Sequence, residues 1–160
     1  MKVLLVSNQR QNAWGVGNPI MYRMRDALEQ DERIEMVEFL PFSNSLFSLR
    51  EIRLSAKEYD VVHIHFGGVY ALIIWLALIG VGAKKLITFH GTDIHARALK
   101  TAKGWKERLK IWLNQKASFL SIRLFDRCGF VAAEMMDYVP KCLASHMQKK
   151  SFVQSLGVNY

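Results

Sequence analysis

Four groups of residues in this 160-residue chain have types and spacings that suit chemistry. The first is His90-Gly91-Thr92-Asp93, which follows directly on Leu86-Ile87-Thr88-Phe89. An apolar run rich in β-branched residues that breaks into a polar tetrapeptide reads as a buried strand with a loop at its carboxyl end. In open α/β sheets that end is where ligands bind. There His90 can donate to or accept from a sugar hydroxyl, and Gly91 lets the backbone turn close to a ligand. Asp93 can bind a hydroxyl or cap the next helix. The plainer alternative is a satisfied core imidazole followed by an N-cap at Thr92 or Asp93.

The second group is Gly15-Val16-Gly17, just ahead of Asn18-Pro19. Glycines before a helix N-terminus let backbone N–H groups approach a phosphate, and the helix dipole adds attraction. A dinucleotide fingerprint needs its glycines immediately after the first strand, and a third glycine. Here the loop from Asn8 to Asn18 is long and the third glycine is missing, so Glu35 or Glu38 as a ribose-binding acid does not repair the fit. No Walker sequence is present. The alternative is an ordinary connecting loop.

The third group is His63 and His65, whose spacing puts both on one face of a strand. No third metal ligand stands nearby in sequence, and no metal site is expected. His65, nearer the strand end, is the better placed to line a site; the alternative is a structural pair.

The fourth is a basic segment. From Lys100 to Arg127, eight basic residues face two acids, Glu107 and Asp126, a surplus of six out of the chain's net +8. Trp105, Leu109, Trp112 and Leu113 alternate with Lys103, Lys106 and Lys110. A basic amphipathic helix carrying Trp can lie on an anionic membrane surface, so Lys103, Trp105, Lys106, Lys110 and Trp112 are the membrane-surface candidates. The alternative is a solvated basic face over an ordinary packed helix. Nucleic acid is not expected, because no recognised binding module accompanies the charge.

The elements that must place these residues alternate. Lys2–Ser7 is a short, nearly uninterrupted apolar run, as in a strand covered on both faces. A helix starts at Asn18-Pro19 and runs to Gln30. A strand over 34–40 stops at Pro41, and 46–57 has helical spacing. The run 60–66 is a second core-type strand, ended by Gly67-Gly68. An apolar helix starts near Val69, and the strand ending at His90 follows. The basic segment spans 101–126, and 128–132 is another strand. Helical pieces start at Glu134 and near Leu143, and 151–155 is a last strand. Strands alternating with helices predict a doubly wound, mostly parallel α/β sheet, Rossmann-like, with helices on both faces. The final strand runs into Leu156-Gly157-Val158-Asn159-Tyr160 with no covering helix, which suggests one half of a two-domain protein.

Composition fits this picture. Apolar residues make up 51% and charged residues 22%, enough for one well-cored domain and against disorder. The apolar stretch from Val69 to Ala83 is shorter than a bilayer span, and the apolar part of the first seven residues is too short for a signal peptide. Cys128 and Cys142 match neither a disulfide framework nor a zinc pattern and read as reduced thiols of a cytoplasmic protein.

Taken together, the first strand, glycine loop and helix, then Asp60-Val61-Val62-His63-Ile64-His65, then Thr88-Phe89-His90-Gly91-Thr92-Asp93, then Leu156-Gly157-Val158-Asn159, resemble the N-terminal half of family-4 glycosyltransferases with the GT-B fold. The resemblance spans essentially the whole chain. It implies a metal-independent, retaining enzyme that moves a sugar from a nucleotide sugar, its co-substrate, to a cell-surface glycan or lipid-linked acceptor. No other cofactor is implied. Residues 1–160 would be the acceptor-side domain, with the nucleotide pocket on a second domain or partner chain, and this half alone would not catalyse transfer. By resemblance, Gly15 and Gly17 approach the donor phosphates, His90 sits by the donor sugar and reaction centre, and Gly91, Thr92, Asp93 and His65 face the acceptor side. The family's hinge Pro-Asn-Gly-Val-Asp reads Ser155-Leu156-Gly157-Val158-Asn159 here. The rival expectation is a non-catalytic Rossmann-like module that uses the basic helix to hold an anionic membrane or protein partner.

Overall fold

The computed structural model describes residues 1–7, 19–43, 45–94 and 102–153. Six strands form one sheet: β1 (Lys2–Ser7), β2 (Met36–Pro41), β3 (Val61–His65), β4 (Lys84–Phe89), β5 (Arg127–Phe130) and β6 (Ser151–Val153). Their order is β2-β1-β3-β4-β5-β6, and every pairing is parallel. Among the described residues five α-helices accompany them: α1 (Pro19–Glu29), α2 (Leu46–Ser55), α3 (Val69–Ala77), α4 (Trp105–Leu124) and α5 (Ala144–Lys150). This is the Rossmann-like α/β arrangement that the alternating pattern predicts.

Two clusters of side chains show how the layers are built. Val3 and Leu5 of β1 pack with Met21 of α1, whereas Leu4 and Val6 join a larger core with Ile52 of α2, Ile74 of α3 and Ile122 of α4. Successive strand residues point to opposite faces, so α1 covers one face and α2, α3 and α4 cover the other. Right-handed crossovers require this: the chain moves one way from β1 to β2, then back across to β3 and onward. The direction therefore reverses between β1 and β3, which makes their carboxyl ends the expected ligand crevice.

The larger core closes over the aromatic rings of Phe89, Phe125 and Phe130, all fully buried. Each contributes about 2 kcal/mol by leaving water. Most strand and helix ends fall within two residues of the sequence reading, and a few differences have a physical reason. β2 includes Pro41 as its last residue, tolerated because β2 is an edge strand. Residues 133–138 are a 3₁₀ turn, not α-helix, because Pro140 leaves that segment too short to propagate one, whereas the second helical piece is α-helix at Ala144–Lys150, led in by a 3₁₀ turn at Lys141–Leu143. The basic helix runs from Trp105 to Leu124, inside the expected 101–126. The Gly15-Val16-Gly17 loop, the Asn18 cap and the 156–160 segment lie outside the described residues.

Candidate functional site at the carboxyl ends of β3 and β4

β3 and β4 run in register, with His63 beside Leu86 and His65 beside Thr88. His63 also pairs with Leu5, which faces α1, so both histidines and Thr88 occupy the α1 face. That face is apolar at β1 and turns polar at β3 and β4. The His63 and His65 rings lie 4.1 Å apart. His63 Nε2 bonds the Thr88 hydroxyl at 2.8 Å, and His65 Nδ1 bonds His90 Nε2 at 3.1 Å. His90 is half-buried at the strand end, and the ring of Phe66 stacks on it at 4.1 Å.

The His65–His90 bond needs one donor nitrogen and one acceptor nitrogen, so the accepting ring must be neutral, and burial disfavours a charge on the donating one as well. The surroundings favour this. Burial holds His63 down at about 3, with His90 adding to the effect. Burial, then His63 and His90, hold His65 well below its ordinary value. Burial also lowers His90, against an opposing pull from Asp93. His65 uses Nδ1 on His90, and its other nitrogen, Nε2, is buried with no hydrogen-bond partner among the described residues. His90 is half-buried, and its Nε2 is the ring nitrogen held by His65.

Asp93 builds the rim. Its Oδ1 accepts from the backbone N–H of His90 at 3.1 Å and Gly91 at 2.9 Å, and its Oδ2 from Gly67 N–H at 2.6 Å. One carboxylate thus ties the turn after β4 to the turn after β3. Three backbone donors, with the His90 N–H also reaching Oδ2 at 3.3 Å, therefore commit Asp93 to shaping the loop. Two glycines make that loop possible. Gly91 has φ +104°, a conformation L side chains rarely adopt. A Cβ on Gly67 would sit 2.5 Å from Ser118 Oγ and 2.7 Å from Phe89 Cε1. Between the turns, Phe66 itself has φ +69°. A non-glycine residue held there costs on the order of 1 kcal/mol and is retained where the surroundings impose it.

The second half of α4 supports the rim from below. Ser118 Oγ donates to Asp93 C=O at 2.7 Å, Gln115 Nε2 to Ile94 C=O at 2.9 Å, and Asn114 Oδ1 accepts from Val69 N–H at 3.2 Å.

His90, Gly91, Asp93 and His65 therefore come together, with Thr92 exposed beside them. His65 stands one layer behind His90, fully buried, instead of lining the opening. Gly15 and Gly17 lie outside the described residues. Lys103, Trp105, Lys106, Lys110 and Trp112 form a separate, exposed region at the start of α4. Sequence reasoning missed Phe66, Asn114, Gln115 and Ser118. A signal existed for each: the double glycine after Phe66 marks a forced turn, and polar residues at helical spacing inside a basic helix mark a buried polar contact. Among the described residues, no group of three His, Cys, Asp or Glu is arranged to hold a metal ion.

No protein-family model matches this chain, and no curated protein matches it. Fold and site define a class by themselves: a parallel Rossmann-like sheet with neutral histidines at the strand ends beside its point of reversal.

Proposed function

We propose that this chain is the acceptor-side domain of a retaining, metal-independent glycosyltransferase that moves a sugar from a nucleotide sugar to a glycan or lipid-linked acceptor. The observation that supports the reading best is His90, a neutral imidazole backed by His65 and Phe66 on the half-open rim beside the sheet's reversal point. In this reading Nδ1 of His90 holds a hydroxyl of the reacting sugar, and Gly91 and Thr92 border the acceptor. Asp93 keeps the two turns in register. Gly15 and Gly17 approach the donor phosphates, and a second domain or partner chain carries the nucleotide pocket. The nucleotide sugar is a co-substrate and no other cofactor is called for. The unpaired thiols of Cys128 and Cys142 agree with a cytoplasmic setting.

Sugar transfer from a panel of radiolabelled nucleotide sugars to glycan and lipid acceptors, measured on the full-length protein, tests the reading. Wild type should label an acceptor, and His90→Ala should lower turnover by about 10²–10⁴ with an unchanged circular-dichroism spectrum. Unchanged turnover in His90→Ala removes His90 from the reaction. A second reading, a non-catalytic module that holds an anionic partner through α4, is favoured by the exposure of Trp105 and its neighbouring lysines. A folded full-length protein that binds anionic partners and transfers no sugar from any donor selects it.

A further inference from the structure

The first half of α4 is exposed nearly all round: of residues 105–113 only Ile111 is even partly buried. Its apolar residues are not on the packed side. Trp105 is 70% exposed, Leu109 and Trp112 46% and Leu113 45%. The buried side of the helix lies further on and consists of Ala117, Ser118, Ser121 and Ile122. Residues 105, 109, 112 and 113 recur at helical spacing and make one stripe. α3 borders it at Val69, and Ile73 and Leu76 further along α3 are also exposed. Between Val69 and α4 runs a groove of about 470 Å³ lined by Trp105, Leu109 and Leu113, with Lys106 and Lys110 on its edge. A contiguous apolar patch of this kind marks an interaction surface.

Charge names the occupant. Lys103, Lys106, Lys110 and Lys116 flank the stripe, and the nearby acid, Glu107, is turned back to accept from the backbone of Lys103 at 2.8 Å. The ammonium of Lys106 lies 5.8 Å from the ring centre of Trp105, and that of Lys116 lies 5.7 Å from Trp112. Indole rings with lysines folded over them suit the boundary between water and hydrocarbon, where the ring sits at headgroup level and the ammonium meets phosphate. A second copy of this chain would bring lysines against lysines across an isologous contact. A nucleic acid would leave the leucines unused. We propose that the α3–α4 face docks on an anionic lipid membrane, with α4 lying in the headgroup plane. Val69 follows the β3 turn directly, so the groove opens on the same rim as His90. The docking stands whether or not the chain transfers sugar.

Flotation with phosphatidylcholine vesicles, with and without phosphatidylglycerol, tests this on the full chain. The protein should float with the mixed vesicles and stay behind with the neutral ones, and its tryptophan emission should shift to the blue. Each lysine near the surface supplies about fivefold in affinity, so Lys106→Ala with Lys110→Ala should bind roughly 25-fold more weakly. Leu109→Gln should lower affinity and reduce the blue shift. All these side chains are exposed, so the variants should melt with wild type. Absence of flotation on anionic vesicles, equal flotation on neutral ones, or indifference to both sets of substitutions overturns the proposal. A dimer in sedimentation that Leu109→Gln dissociates, without lipid binding, would assign the face to a second copy and also overturn it.

Discussion

Around the ends of β3 and β4, three histidines, a threonine and an aspartate are drawn into or against the protein interior, and most of their polar atoms find partners there. Along residues 105–113, two tryptophans and two leucines face water. Each region departs from ordinary burial, in opposite directions. Burying imidazoles costs desolvation that a plain apolar strand would avoid. Exposing indoles and leucines forgoes the stabilisation that their burial against other apolar surface would give. Such departures from local consistency are where function is expected. The second half of α4 joins the two regions, since Asn114, Gln115 and Ser118 bond the turns that carry His90 while the first half stands clear.

The contrast can be broken most strongly at Asp93. Asp93→Ala leaves the backbone N–H groups of Gly67, His90 and Gly91 without their acceptor, and should cost about 3 kcal/mol in urea unfolding. A loss under 1 kcal/mol would mean that the two turns do not depend on each other.

Acid should act next. His63 is held at about 3 in the folded protein against 6.5 in its ordinary state, so below pH 6.5 the unfolded chain binds the extra proton. Stability is full above that value and falls as pH drops towards 3. From His63 alone the loss by pH 5 is about 2 kcal/mol, and His65 adds to it. Denaturant midpoints measured at pH 7 and pH 5 check this, and a flat profile would contradict buried neutral histidines.

The smallest effect belongs to the exposed region. Leu109→Gln should change the unfolding free energy by less than about 0.5 kcal/mol, because Leu109 lines an open groove on an exposed stretch of helix and no core packing is lost. A loss of several kcal/mol would show that residues 105–113 are core after all and that the two regions do not differ.

Much of the fold can be read from the chain because the signals are strong and local. Six short strand-like runs, separated by helical spacings, mark a parallel sheet, and Asn18-Pro19 places the start of α1 to within a residue. The site is only partly legible. That His63 and His65 share a face follows from strand geometry, and that His90 ends β4 follows from the run before it. That His65 stands behind His90 depends on the register of β3 with β4, which no local pattern encodes. Likewise, helical spacing in α4 says which residues share a stripe, but not that this stripe turns outward. That is decided by which side presents Ser118 to Asp93.

The central claim is that His90 is a neutral, half-buried imidazole fixed by a hydrogen bond to the neutral ring of His65. Long-range ¹H–¹⁵N correlation spectra of the histidine rings at pH 7 measure it directly. The account predicts neutral shifts for His65 and His90, each in a single tautomer, with His90 losing that tautomer preference in His65→Phe. An imidazolium at either position, or a tautomer of His90 that is averaged in wild type and unaffected by His65→Phe, would contradict it.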